Sequence, residues 1–377
     1  MLMTAQSTIP AAEFAARRVA LAERARQLDL QAIVVTAKLH VEYLTGTWGS
    51  QFWLTPLIVL ADGRDHLVVR RYDEDRVRAH GHASTLSSYF GQADSVQQWA
   101  TAMRAHGVTH GRVGIECDGA DLSPAELAAL CAALPGLDIV DVTSEVPRLM
   151  AVKSETELTL MRASMHNTDQ FIDAFAAAVG VGSSGDDLVA AMNDCARLIG
   201  AAEPRLAMLA AGSQLGVPHA AATGERMKPG DGAVVEVSGV VEGYSAALMR
   251  TALIGSNQAV EALHDVAAAA LDAALSVIAP GVEARRVDEA ARLVVERAGL
   301  GASFRHRTGY ANGLRANGRS NISLEPNSMT QLEQGMTFHL PIHLFANGVS
   351  AGCSETVVVT GTGCSRLSRH PLALLRR

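Results

Sequence analysis

The sequence predicts an α/β protein of two domains, an N-terminal α/β domain over 1–150 and a C-terminal α+β domain over 151–377. Three observations carry that expectation. A chain of 377 residues, 48% of them hydrophobic, is long for a single core and has ample apolar surface to bury in two. From Phe14 to Leu30 apolar residues recur at helical spacing, and Gln31 to Thr36 (QAIVVT) then switches to a strand-like run, which opens an α/β unit. Ser154 and Glu157 stand three residues apart just before the apolar periodicity of Leu158 to Val179, the signature of a capping box that starts a long helix.

The remaining elements follow in order. Pro56 to Ala61 and His66 to Val69 bracket an Asp62-Gly63 turn, a hairpin signal, and a strand over Val113 to Glu116 precedes a helix begun at Ser123-Pro124. Beyond the boundary the pattern predicts a helix over Asp186 to Leu198 and a β-rich block over Ala233 to Ile254. Two helices over Val260 to Ala298 and a second β-rich block over Met336 to Val359 complete it.

Composition narrows the partners. A net charge of -7 and a pI near 6.0 argue against nucleic acid and anionic membranes, which need a concentrated basic face, and favour a small-molecule substrate or another protein. The N-terminus MLMTAQSTIP has no basic residue before an apolar stretch, and the run Val266 to Pro280 is broken by Asp272, so a cytoplasmic protein is expected. Cys117, Cys131, Cys195, Cys353 and Cys364 are odd in number and lack zinc-site spacing, which reads as reduced thiols.

Ionisable residues concentrate in strands that otherwise look buried. His219 follows Pro218 in a Gly/Pro-punctuated loop, and reads equally as an exposed loop histidine or a presented functional group. Glu236 stands between Val235 and Val237, and reads either as a strand-edge glutamate facing water or as a buried carboxylate that needs a partner or a shifted pKa. Arg250 is available to pair with Glu236 or with a substrate carboxylate. His339 and His343 alternate with apolar residues across Pro341, and Glu355 precedes the apolar run Val357 to Val359. Such a gathering is expected at a polar cleft.

These segments resemble a known family. Glu236 through Tyr244 to Arg250-Thr251 resembles the strand pair of the pita-bread fold shared by methionine aminopeptidases, prolidases and creatinases. Arg307-Thr308-Gly309-Tyr310, Gly335-Met336-Thr337-Phe338 and Ser354-Glu355-Thr356 continue the match in the family's order, and Tyr43-Leu44-Thr45-Gly46 resembles the creatinase-type N-terminal domain. The resemblance implies a creatinase-like domain followed by a pita-bread catalytic domain. Metal-dependent members carry two aspartates, a histidine and two glutamates on a pair of cations. Here those positions fall at Glu236, Ala247, Tyr310, Leu340 or Pro341, and Ser354 or Glu355. The resemblance therefore implies a metal-free branch, with no cofactor, similar to ectoine hydrolase and creatinase.

On that basis the expected activity is metal-independent hydrolysis of a non-peptide C–N bond, amidine-like, in a small polar metabolite. Glu236 is the expected nucleophile or base, His219 the proton shuttle and Glu355 the partner of a cationic nitrogen. Tyr310, Arg250, His339 and His343 are expected to line the pocket. The alternatives are an inactive binding homologue and a metal-dependent Xaa-Pro dipeptidase. Creatinase-like members imply a homodimer in which Phe52 and Trp53, from the aromatic stretch GTWGSQFW, cover the neighbouring site.

Overall fold

The computed structural model describes residues 8–50, 53–117, 121–315 and 322–377. The chain divides into two compact units between Met150 and Ala151.

In the first unit, α1 (Ala11–Gln27) leads into β1 (Ala32–Val35), α2 (Lys38–Thr45), β2 (Leu57–Leu60), β3 (Asp65–Arg70), α3 (Glu74–His80) and β4 (Leu86–Tyr89). Then come α4 (Ser95–Ala105), β5 (His110–Ile115), α5 (Pro124–Ala133), β6 (Gly136–Asp141) and α6 (Glu145–Ala151). The strands form one six-stranded mixed sheet in the order β4-β3-β2-β1-β5-β6. The central strands β1 and β2 are buried throughout, which is why they read as unbroken apolar runs. Between β2 and β3, Gly63 takes φ +92 and the Asp62 carboxylate accepts from the Arg64 amide, so the Asp-Gly pair makes the turn the sequence predicts. At α5, Ser123 and Glu126 form a reciprocal capping box with Pro124 at the first helical position.

The second unit begins with α7 (Glu155–Ala178), capped by Ser154 and Glu157 as the spacing predicts. Next are α8 (Gly185–Ile199), β7 (Arg205–Ala211), β8 (Gly232–Val241), β9 (Tyr244–Leu253), α9 (Gln258–Val277) and α10 (Ala284–Arg297). The chain ends with β10 (Gly309–Ala311), β11 (Ser323–Leu324), β12 (Thr337–Ala346), β13 (Val349–Val359), β14 (Cys364–Arg366) and β15 (Leu375–Arg376). Two sheets result, β15-β9-β8-β7 and β11-β10-β12-β13-β14. Helices α7 and α8 bury Phe171, Phe175, Leu188 and Met192 against Val235, Val237 and Leu248 of the first sheet. Helices α9 and α10 bury Val260, Leu271 and Val287 against Phe338, Leu340 and Val357 of the second. Each sheet is thus covered by a helix pair, and the strand faces that look away from the helices meet each other. This is the pita-bread arrangement that the resemblance implies.

The sheets are joined where β9 meets β13. Thr251 Oγ donates to the Gly352 carbonyl at 2.7 Å and accepts from the Gly352 amide at 2.9 Å. Beside this stitch Arg250 Nη2 donates to Glu355 Oε1 at 2.7 Å, with both side chains 0% exposed. The guanidinium also donates to the carbonyls of Met249, Ser354 and His370, at 2.9, 2.6 and 3.1 Å. Planar, multiply donated contacts of this kind are what allow a buried arginine to hold its charge.

Replacing one member of a buried pair strands the other charge, at a cost of about 3–5 kcal/mol. Glu355→Gln, which keeps the volume, is therefore expected to lower the melting temperature by many degrees in thermal denaturation. A variant that melts with the wild type would show that the pair does not hold the sheets.

Candidate active site

Strands alternate their side chains between faces, so the residues that meet inside the sandwich are set by parity. On β8, Val235 and Val237 face α7 and α8, while Glu236 and Ser238 face inward. On β9, Ser245 and Ala247 share the inward face. From the second sheet come Tyr310 on β10, the adjoining Asn312, and His339 on β12, with Arg205 on β7 and Arg307 at the rim. Together they enclose a cavity of about 280 Å³.

Glu236 is the one carboxylate lining this cavity among the described residues. Its side chain is 13% exposed and lies 3.8 Å from His339 Nδ1. Burial disfavours its charge and pushes the carboxyl up from 4.5 to about 7, while a hydrogen bond from Tyr310 pulls it part of the way back. Burial also raises the Tyr310 phenol, reinforced by the charge of Glu236, so the hydroxyl stays protonated as a donor.

Behind Glu236 runs a directed chain of hydrogen bonds. The Met249 amide donates to Ser354 Oγ at 2.6 Å, and Ser354 Oγ lies 2.8 Å from His339 Nε2. His339 Nδ1 is 3.0 Å from the Tyr310 oxygen, and Tyr310 reaches Glu236 Oε1 at 3.5 Å. Since His339 is buried and pushed down to about 3, chiefly by desolvation, it is neutral and carries one ring proton. The arrangement that satisfies every member has Ser354 donating to Nε2, Nδ1–H donating to Tyr310, and Tyr310 donating to the carboxylate.

Of the residues singled out from the sequence, the structure gathers Glu236, Tyr310 and His339 around one cavity. Four others are corrected by position. Glu355 does not face the cavity; the pleat turns it to the outer face of β13, onto Arg250, and presents Ser354 inward instead. Burial pushes the Glu355 carboxyl up and Arg250 pulls it back, leaving it at about 6. Arg250 is correspondingly absent from the lining, because it stands opposite Val235 rather than Glu236 in the β8–β9 register. His343 bonds Ser350 Oγ at 2.9 Å and does not line the cavity; it is pushed down to about 3 by burial.

His219 is exposed at φ +53 and lies outside the lining, close enough to His306 and His343 for its charge to disfavour theirs. Its loop is held elsewhere: Ser350 Oγ donates to the Leu215 carbonyl, and Gly216 packs directly on Gly348 at the β12–β13 turn. Trp53 packs in the first unit, with the Arg70 guanidinium 4.4 Å from its ring centroid and Tyr89 at 6.4 Å. Phe52 lies outside the described residues.

Sequence reasoning assigned no role to Arg205 or Asn312, and marked Ser354 only as a position matching a family metal ligand. Arg307 was legible only as part of Arg-Thr-Gly-Tyr. No local pattern marks Arg205, which reaches the cavity because β7 pairs with β8.

An α/β N-terminal unit followed by a pita-bread unit with a polar cavity between its sheets defines the creatinase/prolidase class. The chain belongs to metallopeptidase family M24, whose sequence model matches residues 159–361, and a creatinase/prolidase N-terminal domain matches 17–152. A probable dipeptidase PepE of Mycobacterium bovis is 28% identical over 97% of both chains. An uncharacterized hydrolase/peptidase of Sinorhizobium fredii is 26% identical, again over 97% of both. Among solved structures, dipeptidase PepE from Mycobacterium ulcerans shares the fold with a TM-score of 0.87 at 24% identity, covering 98% of this chain and 99% of its own. An Xaa-Pro dipeptidase from Bacillus anthracis does so with 0.85 at 18%, covering 96% and 100%. The two sequence relatives aligned over both units, named a probable dipeptidase and a hydrolase/peptidase, overturn the expectation of a non-peptide C–N hydrolase.

The family name implies metal, and the donors here do not fit one. Ala247 has no donor atom, Tyr310 keeps its proton, Leu340 is buried in the core, Ser354 is engaged by Met249 and His339, and Glu355 belongs to Arg250. Among the described residues no three His, Cys, Asp or Glu side chains converge as metal ligands. One carboxylate is too little for a hard divalent cation.

The raised carboxyl of Glu236 has a consequence for stability. Its folded value of about 7 lies above the ordinary 4.5, so the folded protein keeps a proton that the unfolded chain releases. The associated stability is complete at pH values below the unfolded value and is lost as pH rises through the folded one. Glu236→Gln is permanently neutral, so it should stabilise the protein at pH 8.5 by up to roughly 3 kcal/mol and leave the melting temperature at pH 4 unchanged. Melting curves that shift equally at both pH values would show that Glu236 is not the titrating group.

Proposed function

We propose that this protein hydrolyses the peptide bond of a dipeptide-sized substrate, with Glu236 as general base and no bound metal. The observation that carries the reading is a lone cavity carboxylate whose pKa sits near neutrality, where a base is most effective. The peptidase names of relatives aligned over both units support the choice of bond.

In this reaction Glu236 takes a proton from water as the water oxygen bonds the substrate carbonyl carbon, and the carbonyl electron pair moves onto its oxygen. As Glu236 gains that proton it gives up its hydrogen bond from Tyr310, and the Tyr310 hydroxyl, oriented by His339, turns to donate to the developing oxyanion. Collapse breaks the C–N bond, and Glu236 delivers its proton to the leaving nitrogen. Two products leave, a carboxylic acid and an amine, and the base is regenerated. Ser354 acts through His339 as a positioning residue: with its Oγ on Nε2, the other ring nitrogen keeps its proton for Tyr310.

Incubation with a dipeptide panel, followed by mass detection of free amino acids, is expected to show turnover that EDTA leaves unchanged and that rises with pH through about 7. Glu236→Gln should lose about a hundredfold or more in kcat while still binding peptide. Retention of over roughly a tenth of the rate would remove Glu236 from the chemistry. Turnover that requires added divalent cation would overturn the metal-free mechanism, and binding without turnover would make the protein a peptide-binding homologue.

A further inference from the structure

The cavity carries more positive charge than its mechanism uses. Arg205 and Arg307 both line it, and both are close enough to Tyr310 for their charges to favour its ionisation. Arg307 stacks over the Tyr310 ring at 4.4 Å from the centroid and donates to Ser323 Oγ at 3.2 Å. Arg205 donates to the Arg315 carbonyl at 3.1 Å. Neither arginine has a carboxylate in ion-pair range among the described residues, although most arginines of the chain do. With His339 neutral and Glu236 half protonated near pH 7, these two guanidinium groups face a site that lacks a matching negative charge.

A second observation comes from Asn312, which is buried at the same cavity. Its Nδ2 donates to Thr356 Oγ at 3.3 Å, and Thr356 Oγ in turn donates to the Ala247 carbonyl at 2.9 Å, which fixes the amide's orientation. Its Oδ1 has no hydrogen-bond partner among the described residues. A buried carbonyl oxygen left in this state is an acceptor waiting for an N–H donor.

We propose that Arg205, Arg307 and Asn312 Oδ1 form a subsite for a residue that bears a free carboxylate and an amide hydrogen, so that the cleft prefers dipeptides ending in an ordinary amino acid over Xaa-Pro dipeptides. The carboxylate meets the arginines as a charge-assisted acceptor. The N–H of the scissile amide meets Asn312, and proline has none to offer. A site built around a buried acceptor rejects a ligand that cannot donate to it, because the acceptor is then both dehydrated and unpaired. This inference deepens the peptidase reading and rests on it.

Isothermal titration of the full-length Glu236→Gln protein separates binding from turnover. Ala-Ala should bind roughly tenfold more tightly than Ala-Ala amide, and by a similar factor more tightly than Ala-Pro. Arg205→Gln, at an exposed position, and Arg307→Gln should each remove most of the preference for the free acid. Asn312→Ala should remove the advantage of Ala-Ala over Ala-Pro while leaving Ala-Pro binding as it was. Equal binding of acid and amide, Ala-Pro binding at least as tight as Ala-Ala, or no binding of any of the three would overturn the subsite. Tighter binding of Ala-Glu amide than of Ala-Ala would overturn the assignment of the carboxylate to the chain end. If Ala-Ala binds in the expected pattern but the wild type does not cleave it, the hydrolytic reading falls and the subsite stands. If the wild type cleaves acid and amide alike, the reverse holds.

Discussion

Everything at the catalytic end of this molecule depends on Arg250 and Glu355 meeting out of water. A pair with neither side chain exposed to solvent costs several kcal/mol to dehydrate and repays it only through close geometry. Here the geometry is supplied by three carbonyls around the guanidinium and by the adjacent Thr251–Gly352 exchange. The pair lies where one sheet passes onto the other, so it fixes the register between them as well as holding them. With that register fixed, the opposite parity on each strand faces the interior between the sheets. Placing Arg250 and Glu355 outside is what puts Met249, Ser354 and Thr356 inside.

The same arrangement isolates Glu236. The fixed cation that would hold its carboxylate ionised is spent on Glu355, and the neighbouring histidine is too deeply buried to be charged. What remains beside it is a neutral hydroxyl from Tyr310, which lowers the carboxyl much less than a cation would. Burial therefore wins, and the group sits near neutrality instead of near 4.5. A glutamate with an arginine in contact would be a weaker base and a stronger anchor.

Local pattern was enough for most of the fold. The capping boxes at Ser123 and Ser154, the Asp62-Gly63 turn and the apolar strands β1, β2, β8 and β13 announce themselves because their causes lie within a few residues. The site was legible in part: Glu236 and His339 are conspicuous as polar groups in apolar strands, and Tyr310 was marked only by the family resemblance of Arg307-Thr308-Gly309-Tyr310. Glu355 was misplaced for a physical reason: in a strand, one residue of offset exchanges the inner and outer faces, and Ser354-Glu355 presents a polar group to both. His219 was misplaced because the direction of a loop is set by what it packs against, here a hairpin more than 120 residues later in the chain. The residue types at the family's metal-ligand positions do not say which bond a site breaks, which is why the expected substrate class failed against the full-length relatives.

The contact between Gly216 and the β12–β13 turn bears on how this protein changes over evolutionary time. A Cβ on Gly216 would stand 2.2 Å from the Gly348 carbonyl oxygen, and no side-chain motion relieves a clash with backbone. Any substitution there must be accompanied by a shift of the whole turn, which single mutations do not supply. Val217 and Pro218, both exposed, meet no such clash, while His219, also exposed, is held at φ +53 to residues that tolerate a left-handed backbone. Divergence in this loop is therefore channelled: side chains compatible with its backbone can change one at a time, while its position is inherited.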